Sequence, residues 1–316
     1  MFREAIKHIF GRMKNTEMVR FKGNPILEPI KNHPWESKYV FNTAMINLSG
    51  RIHYFYRALG EDNVSRLGYA SSKNGFHIDE RLTYPVFEPS TSLEKYGCED
   101  PRLTLLEGGC VMTYTAYGDI FQIGITTISI ENILSKNWDW GDRCFPFPNI
   151  RNKNAVIFPR KINGCYVMLH RLEPNICIAY SKDLLNWTDS DLVMRPRKDY
   201  WDCLKIGAAG PPMELNDGWL LIYHGVSNER VYRLGAAILD NNDPKRVLGR
   251  TSEPILEPVE EYERNGNVSN VIFSCGAVLQ KDKLLISYGA ADTVIGLASY
   301  KVNKIIENCS CDLAKT

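Results

Sequence analysis

The chain lacks long hydrophobic runs, a large excess of charge, and clustered cysteine or histidine, and each absence excludes a class of protein. Over 316 residues the net charge is +1, which argues against bulk electrostatic attraction to nucleic acid or anionic membranes. The nine cysteines contain no Cys-x-x-Cys pair, and the six histidines show no metal-ligand spacing. We therefore expect no metal site and no cofactor, and the scattered cysteines suit a reducing compartment.

The first 18 residues have a helical pattern without the continuous apolar run of a signal peptide or membrane span. Five apolar side chains share one face at helical spacing: Phe2, Ile6, Ile9, Phe10 and Met13. We expect an amphipathic helix over residues 1–18 of a cytoplasmic protein. An exposed apolar stripe usually marks an interface, so we predict a homo-oligomer whose contacts include this helix. Docking of the helix on its own chain is the alternative.

One hairpin pattern occurs five times: an apolar strand, a loop, and a second apolar strand. The copies lie at residues 51–72, 109–129, 164–181, 218–240 and 282–300. Their starts are 54 to 64 residues apart, which is typical of four-stranded propeller blades with long loops. Helical periodicity is limited to the chain ends, so the fold is predicted to be all-β. We predict a five-bladed β-propeller over residues 19–316, because a pair of β-sandwiches would not explain five copies of one hairpin.

Polar side chains recur where the first strand of each copy ends. They are Arg57, Tyr117, Arg171, His224 and Tyr288, with Asp292 a little further on. Equivalent loops of successive propeller blades converge on one axis, so we expect these side chains to share a site. Coincidence is the alternative, since Arg and Tyr are common at strand ends and a fold alone does not establish a site.

Three segments between the hairpins carry further charge. In residues 97–102 (GCEDPR), Pro101 is expected to hold the backbone of Asp100 extended, and Arg102 could orient a carboxylate or bind an anionic substrate. A turn with a surface ion pair is the plain alternative. Residues 152–159 and 205–212 contain Lys153 and Lys205 beside small or apolar neighbours. A lysine there can bind phosphate as a point charge or extend from a packed strand.

With these residues the chain resembles glycoside hydrolase family 130, which contains the inverting β-mannoside phosphorylases. The resemblance covers nearly the whole chain. It is carried by residues 23–27 (GNPIL), 40–42 (VFN), 99–102 (EDPR), 158–164 (FPRKING), 168–171 (MLHR), 223–225 (YHG), 232–237 (YRLGAA) and 288–292 (YGAAD). Thr43 and Ser274 depart from the family pattern, which affects the details of the sugar pocket rather than the chemistry.

The resemblance implies a five-bladed propeller that cleaves β-linked mannosides with inorganic phosphate as co-substrate and releases α-mannose 1-phosphate. It implies that Asp100 is the catalytic acid and protonates the glycosidic oxygen through a hydroxyl of the mannosyl residue. The implied phosphate-binding residues are Lys153, Arg171, Lys205 and His224. The implied substrate-binding residues are Asn42, Arg57, Tyr232 and Asp292, to which we add Arg102.

One acid with several cations suits phosphorolysis. An inverting hydrolase needs a second carboxylate to activate water, whereas phosphate is already anionic and needs positive charge to hold it. Because the acid must begin protonated, we expect burial to raise the pKa of Asp100 against the effect of any nearby Arg. Pairing of Arg102 with Glu99 would ease that conflict.

Two other functions and two linkages stay open at this stage. The first alternative is a hydrolytic β-mannosidase of the same family, in which the phosphate-binding positions are expected to be replaced. The second is a carbohydrate-binding propeller without catalysis. Both β-1,4 and β-1,2 linkages are possible, because the loops at residues 90–96 and 228–231, which face the acceptor, have no predictable shape.

Overall fold

The computed structural model describes residues 18–216 and 218–310, which are mostly β-strand with a few short helices. The helix predicted over residues 1–18 lies, except for Met18, outside the described residues. The predicted all-β class is therefore confirmed for the part of the chain that the structure describes.

The strands form four sheets. The first sheet contains β2 (Tyr39–Leu48), β3 (Arg51–Leu59), β4 (Ser65–Ser72), β5 (Glu80–Arg81), β6 (Gly97–Leu106), β7 (Gly109–Tyr117) and β8 (Phe121–Ile128). The second contains β9 (Lys153–Ile157), β10 (Tyr166–Leu172), β11 (Asn175–Ser181) and β12 (Asp191–Met194). The third contains β13 (Lys205–Ala208), β14 (Met213–Leu215), β15 (Gly218–Val226), β16 (Tyr232–Leu239) and β17 (Val247–Arg250). The fourth contains β18 (Ile272–Gln280), β19 (Lys283–Ala290), β20 (Val294–Lys301) and β1 (Val19–Arg20).

Short helices connect or follow these strands. The described helices are α1 (Ile130–Ser135), α2 (Glu261–Arg264) and α3 (Val302–Ser310), with 3-10 turns at Pro34–Glu36 and Ser92–Glu94. The Ser129 side chain caps α1 by accepting from the backbone N–H of Asn132, which satisfies one of the unpaired donors at a helix start.

The five predicted hairpins are confirmed as antiparallel pairs. They are β3–β4, β7–β8, β10–β11, β15–β16 and β19–β20. An additional strand pairs with the first strand of each hairpin, namely β2, β6, β9, β13 and β18. The first sheet holds two of these three-stranded units, joined by one parallel pair between Ser65 and Gly97. Five similar units thus follow one another along the chain.

The hydrophobic core is divided into clusters that lie between consecutive units. One cluster, for example, brings Val156 of the third unit against Leu221 of the fourth. Another joins Tyr54 of the first unit to Leu285 of the last. Each buried Leu, Ile or Val contributes about 1.5–3 kcal/mol by leaving water, so these clusters fix how each unit sits on the next.

A repeated polar contact anchors four of the five units. In each, a Tyr near the end of the hairpin's first strand faces a Gly on the second strand, and its hydroxyl donates to a buried carboxylate that also binds an Arg. The four sets are Tyr56, Glu36 and Arg81; Tyr114, Glu94 and Arg143; Tyr223, Asp202 and Arg250; and Tyr288, Glu263 and Arg20. All four carboxylates are fully buried, so losing one partner would cost about 3–5 kcal/mol.

The third unit replaces this contact with a histidine. His170 lies opposite Cys177, bonds the Asn152 side chain at 2.9 Å and stacks on Phe147 at 4.9 Å between ring centroids. Successive strand residues face opposite sides of a sheet, so the residue after each anchor points away from it. Those following residues include Arg57, Arg171 and His224, and the buried anchors therefore fix the backbone that carries predicted site residues.

Candidate active site

The predicted site residues come from one end of the five units. Arg57, Arg171 and His224 lie near the ends of β3, β10 and β15, while Lys153 and Lys205 begin β9 and β13. In an antiparallel pair, the end of one strand lies beside the start of its neighbour, so all five residues belong to the same end of the sheets.

A cavity of ≈190 Å³ opens at this end. It is lined by Asn42, Arg57, Asp100, Lys153, Asn154, Arg171, Tyr232, Val268, Val271, Phe273 and Asp292. The structure therefore brings seven predicted residues together around one cavity: Asn42, Arg57, Asp100, Lys153, Arg171, Tyr232 and Asp292. Arg102, Lys205 and His224 are not among the lining residues.

Asp100 lies on a β-bulge, not in the extended conformation that Pro101 led us to expect. The β6–β7 register shifts between Glu99 and Arg102, and the φ of Asp100 is 52°. The Asn42 side chain donates to Asp100 Oδ1 at 2.8 Å. Asn42 itself has a φ of 48° at the register shift of β2. Bulges aim side chains out of the regular pleat, and here the Asn42–Asp100 hydrogen bond joins two bulged strands at the cavity.

The expected rise in the pKa of Asp100 is wrong. Burial acts to raise the pKa of Asp100, but Arg57, Lys153 and Arg102, together with the Asn42 hydrogen bond, hold it below its ordinary value. The Arg57 guanidinium lies 3.6 Å from Asp100 Oδ1. With these neighbours, therefore, Asp100 is ionised at neutral pH.

Glu99 and Arg102 do not pair with each other, so the conflict at Asp100 is not eased in that way. Glu99 accepts from Arg57 at 2.6 Å and lies 3.4 Å from the Lys153 ammonium. Arg102 is buried and donates to the backbone carbonyl groups of Ala209 at 2.8 Å and Asp100 at 2.8 Å. Arg102 thus supports the backbone beneath Asp100 rather than facing the cavity.

A second layer of contacts supports Arg171. Its Nη1 lies 3.4 Å from His224 Nε2, and the Asn154 amide nitrogen lies 3.3 Å from the same ring nitrogen. Burial, followed by Arg171, Arg102 and Lys205, lowers the pKa of His224 well below its usual range. His224 is therefore neutral at neutral pH, and Nε2 can accept from Arg171. Lys205 binds Glu173 at 3.1 Å.

Asp292 is a second carboxyl group on the cavity wall. Burial raises its pKa to about 6, with a smaller opposing effect from Arg57 and a further rise from Asp100 and Glu99. The pKa values of the two carboxyl groups thus shift in opposite directions, because Asp100 receives a hydrogen bond and lies near more positive charge than Asp292 does. Tyr232 lies nearby, with its ring 6.2 Å from that of His224.

Two strand-end residues are not part of the cavity wall. Tyr288 is fully buried and bonds Glu263 at 2.9 Å as one of the repeated anchors. Tyr117 stacks on Phe121 outside the lining set. A polar residue at a strand end can face either side of the sheet, and the sequence position alone does not distinguish them.

The sequence analysis missed Glu99, Asn154 and Phe273 as functional candidates. Asn154 lines the cavity and contacts both Arg102 and His224, and its position next to Lys153 was the available signal. Phe273 gives the wall an apolar face, but nothing in its sequence context distinguishes it from a core residue.

The described part of the chain contains no group of three or more His, Cys, Asp or Glu side chains placed to hold a metal ion. Within residues 18–216 and 218–310, no helix combines the length and apolar character needed to cross a membrane.

Comparison with known proteins identifies the family. The model of glycoside hydrolase family 130, described as beta-1,4-mannooligosaccharide phosphorylase, matches residues 8–311. The chain is 42% identical over 298 residues to a 1,2-beta-oligomannan phosphorylase of Thermoanaerobacter sp. (strain X514), covering 92% of this chain and 99% of the relative. It is 43% identical over 301 residues to a beta-1,2-mannobiose phosphorylase of the same strain, covering 91% and 98%.

A solved structure agrees with this assignment. The beta-1,2-mannobiose phosphorylase from Listeria innocua, in complex with beta-1,2-mannobiose, superposes with a TM-score of 0.82 at 26% identity, covering 93% of this chain and 99% of that chain. The sequence match spans almost all of the strands that build the cavity, and the resemblance read from the motifs is confirmed: the chain belongs to glycoside hydrolase family 130.

Proposed function

We propose that the protein is an inverting phosphorylase that cleaves β-linked mannosides with inorganic phosphate and releases α-mannose 1-phosphate. The observation that carries the proposal is Arg171, a cation on the cavity wall that forms no ion pair with any carboxylate of the described residues. Together with Lys153 it offers positive charge in the same cavity as a single hydrogen-bonded acid, Asp100. Withdrawing a cation from water is costly when no ion pair forms with it. Arg171 is partly buried, and an anionic co-substrate would offset that cost.

Each residue has a proposed role. Asp100 is the general acid, and Asn42 orients its carboxyl group. Lys153 and Arg171 bind phosphate directly, and Lys205 and His224 complete the phosphate site when the anion is present. The mannosyl residue is contacted by Arg57, Tyr232 and Asp292. Arg102 does not contact the sugar and instead positions Asp100 by binding its backbone carbonyl.

The second candidate function is hydrolysis of β-mannosides by an enzyme of this family. The observation that favours it is the second carboxyl group in the cavity, Asp292. An inverting hydrolase would use Asp292 as the base that activates water. The raised pKa of Asp292, about 6, is compatible with a base, but a hydrolase has no use for the adjacent cations. Phosphorolysis accounts for both features.

Product analysis tests the proposal and the linkage together. We propose β-1,2-linked mannosides as the preferred substrates, since both relatives above 40% identity carry that linkage in their names. Incubation of β-1,2- and β-1,4-mannobiose with phosphate should yield mannose 1-phosphate, faster from the β-1,2 isomer. Release of free mannose at the same rate without phosphate would instead identify a hydrolase.

We further propose that the five units close into a five-bladed β-propeller. The support is that hydrophobic clusters lie between successive units and also between the first and the last. In addition, Ser287 of β19 donates to the Thr43 carbonyl of β2 at 3.0 Å. The N-terminal strand β1 pairs with β20, so both ends of the chain contribute to one sheet, as ring closure would require.

Phosphate should control the protonation of the acid. A bound dianion offsets the charge of Lys153 and Arg171, so it should raise the pKa of Asp100 and of Asp292, and the protein should take up protons. A ligand that raises a pKa binds more tightly as the pH falls through the interval between the bound and free pKa values. The affinity for a phosphate-like dianion should therefore increase as the pH falls toward the pKa of Asp292, about 6.

Calorimetry with inorganic sulfate checks this, because sulfate does not itself titrate near neutral pH. The apparent binding enthalpy should depend on the ionisation enthalpy of the buffer, with a slope that corresponds to proton uptake. Asp100→Asn should reduce that uptake and leave the part due to Asp292. Sulfate binding with no proton uptake in the unmodified protein would contradict the prediction.

Assembly, compartment and cofactor use are also proposals. We propose a homo-oligomer that uses residues 1–18 in its contacts, which light scattering of the intact chain would reject by showing a monomer. We propose that the enzyme needs no cofactor besides its co-substrate and works in the cytoplasm. The seven cysteines between Cys98 and Cys275 are unpaired, as in proteins of reducing compartments.

A further inference from the structure

Glu99 is a buried carboxylate to which the proposed reaction gives no role. It directly precedes Asp100, its side chain is 4% exposed, and it is not among the residues that line the cavity. Withdrawing a carboxylate from water is costly unless the carboxylate is paired. Two cations of the cavity wall, Arg57 and Lys153, offset that cost. Glu99 therefore binds the same cations that surround the candidate acid.

The β-bulge in β6 places two consecutive carboxylates beside one guanidinium. In a regular strand Glu99 and Asp100 would point to opposite faces, but the register shifts here and the φ of Asp100 is 52°. Arg57 Nη2 donates to Glu99 Oε1 at 2.6 Å, whereas Arg57 Nη1 is 3.6 Å from Asp100 Oδ1. The first distance is that of a hydrogen bond and the second is too long for one. Arg57 is thus bound to Glu99 and lies beside the acid without bonding it.

Two uncharged groups complete the surroundings of the Arg57 guanidinium. Its Nε donates to Ser65 Oγ at 2.9 Å, and its central carbon lies 4.6 Å from the centroid of the Phe41 ring. Neither contact opposes the attraction between Arg57 and Asp100. The short ionic contact with Glu99 is therefore what keeps the guanidinium from the acid.

Lys153 is the second cation that Glu99 binds. Its ammonium lies 3.4 Å from Glu99 Oε2, so the carboxylate uses one oxygen for each cation. Burial lowers the pKa of Lys153, and the charges of Glu99 and Asp100 oppose this effect. Lys153 in turn lowers the pKa of Asp100, so a lysine released from Glu99 would add to the effect of Arg57.

We propose that Glu99 is a positioning residue that binds Arg57 and Lys153 and so prevents them from forming close ion pairs with the acid, Asp100. The inference rests on the proposed function, since it takes Asp100 as the proton donor. A carboxyl group in a close pair with a cation favours its ionised form, which has no proton to donate. Besides Glu99, the titratable groups around Asp100 are Arg57, Arg102, Lys153, Arg171, Asp292 and Cys275.

The pH dependence of kcat for a mannobiose at saturating phosphate tests this role in Glu99→Gln. The amide keeps the size of the side chain without its charge, so Arg57 should turn to Asp100 and the pKa of Asp100 should fall. Because a general acid acts in its protonated form, kcat above that pKa should be about tenfold lower, the effect of a pKa lower by about one. The ratio of this kcat to that of the unmodified protein should approach one as the pH falls. The ionisation of phosphate affects both proteins alike and cancels in the ratio.

The Michaelis constants and two further variants separate this role from a structural one. In Glu99→Gln the KM for phosphate should not rise, because Lys153 is released for the anion. Glu99→Asp keeps the charge and should restore most of kcat at every pH. Glu214→Gln removes a carboxylate that pairs with Arg160 at 2.7 Å and does not line the cavity, so it should change neither constant. A loss of kcat in Glu99→Gln that is equal at every pH, or a raised KM for phosphate, would overturn the inference.

A crystal structure of Glu99→Gln gives a readout that does not depend on turnover. Arg57 Nη1 should move from 3.6 Å to hydrogen-bond distance from Asp100 Oδ1, about 2.7–3.2 Å. An Arg57 side chain that stays in place would overturn the inference while phosphate-dependent cleavage still stands. If the unmodified protein cleaves no mannoside, the proposed function fails, and the Arg57–Asp100 distance in the variant alone decides whether Glu99 keeps the two apart.

Discussion

Replacing Asp100 by Asn should lower kcat for a natural β-mannoside by about 10²–10⁴-fold, the usual contribution of a positioned general acid. The variant keeps the size of the side chain but has no proton to donate. Asn42 donates to Asp100 Oδ1 at 2.8 Å, and it can donate equally to the carbonyl oxygen of an asparagine. The geometry of the cavity should therefore survive, and kcat with saturating phosphate is the measurement.

A substrate with a better leaving group separates acid catalysis from a general loss of structure. An aryl β-mannoside whose leaving group departs as a stable anion needs little protonation. For this substrate the Asp100→Asn variant should lose far less activity than for a mannobiose. Equal losses on both substrates would show that Asp100 acts by holding the site together. A protein that binds mannosides with the same affinity before and after the change, and never turns them over, would be the non-catalytic propeller.

Asn42→Ala is the companion variant in this design. It removes the donor to Asp100 without touching the carboxyl group, so the pKa of Asp100 should rise. If the hydrogen bond serves to orient the acid, kcat should fall even though the acid is more easily protonated. The two variants thus distinguish orientation from protonation at one side chain.

The sequence predicted the parts of this fold that depend on local pattern. Each hairpin is formed by residues that are close in sequence, so its apolar alternation and its turn were enough to locate the five units. The repeat also placed the ends of β3, β10 and β15 at one site. The backbone of Asp100 was predicted incorrectly, because the effect of Pro101 is a local preference. Contacts of Asp100 with Asn42 and Arg57, from another unit, override it.

The ion pairs could not be predicted from the sequence, because they also depend on contacts between different units. Glu99 is three residues from Arg102 in sequence, yet it binds Arg57 and Lys153, which are 42 and 54 residues away. The anchors formed by a Tyr, a carboxylate and an Arg likewise join residues that are far apart in sequence. Tyr288 and Arg20 meet at Glu263 only because β1 joins the last sheet, so Tyr288 resembled a site residue until its partners were known.

Replacing Arg171 by Ala should raise the KM for phosphate by about 100-fold, and more than any other single change on the cavity wall should. Hydrogen bonds to charged groups contribute about 1.5–3 kcal/mol each, and each 1.4 kcal/mol corresponds to about tenfold in affinity. Arg171 is not tied to a carboxylate of the described residues, so its full charge is available to phosphate. Lys205 is held by Glu173 at 3.1 Å, and Lys205→Ala should therefore have a smaller effect.

The design uses initial rates at varied phosphate with saturating mannoside. Arg171→Lys keeps the charge but loses the planar pair of donors, so its KM for phosphate should lie between those of the unmodified protein and Arg171→Ala. Lys245→Ala removes an exposed cation paired with Asp191 away from the cavity and should leave phosphate dependence unchanged. An Arg171→Ala enzyme with normal KM for phosphate but a raised KM for mannoside would assign Arg171 to the sugar and move the phosphate site toward Lys153 and Lys205.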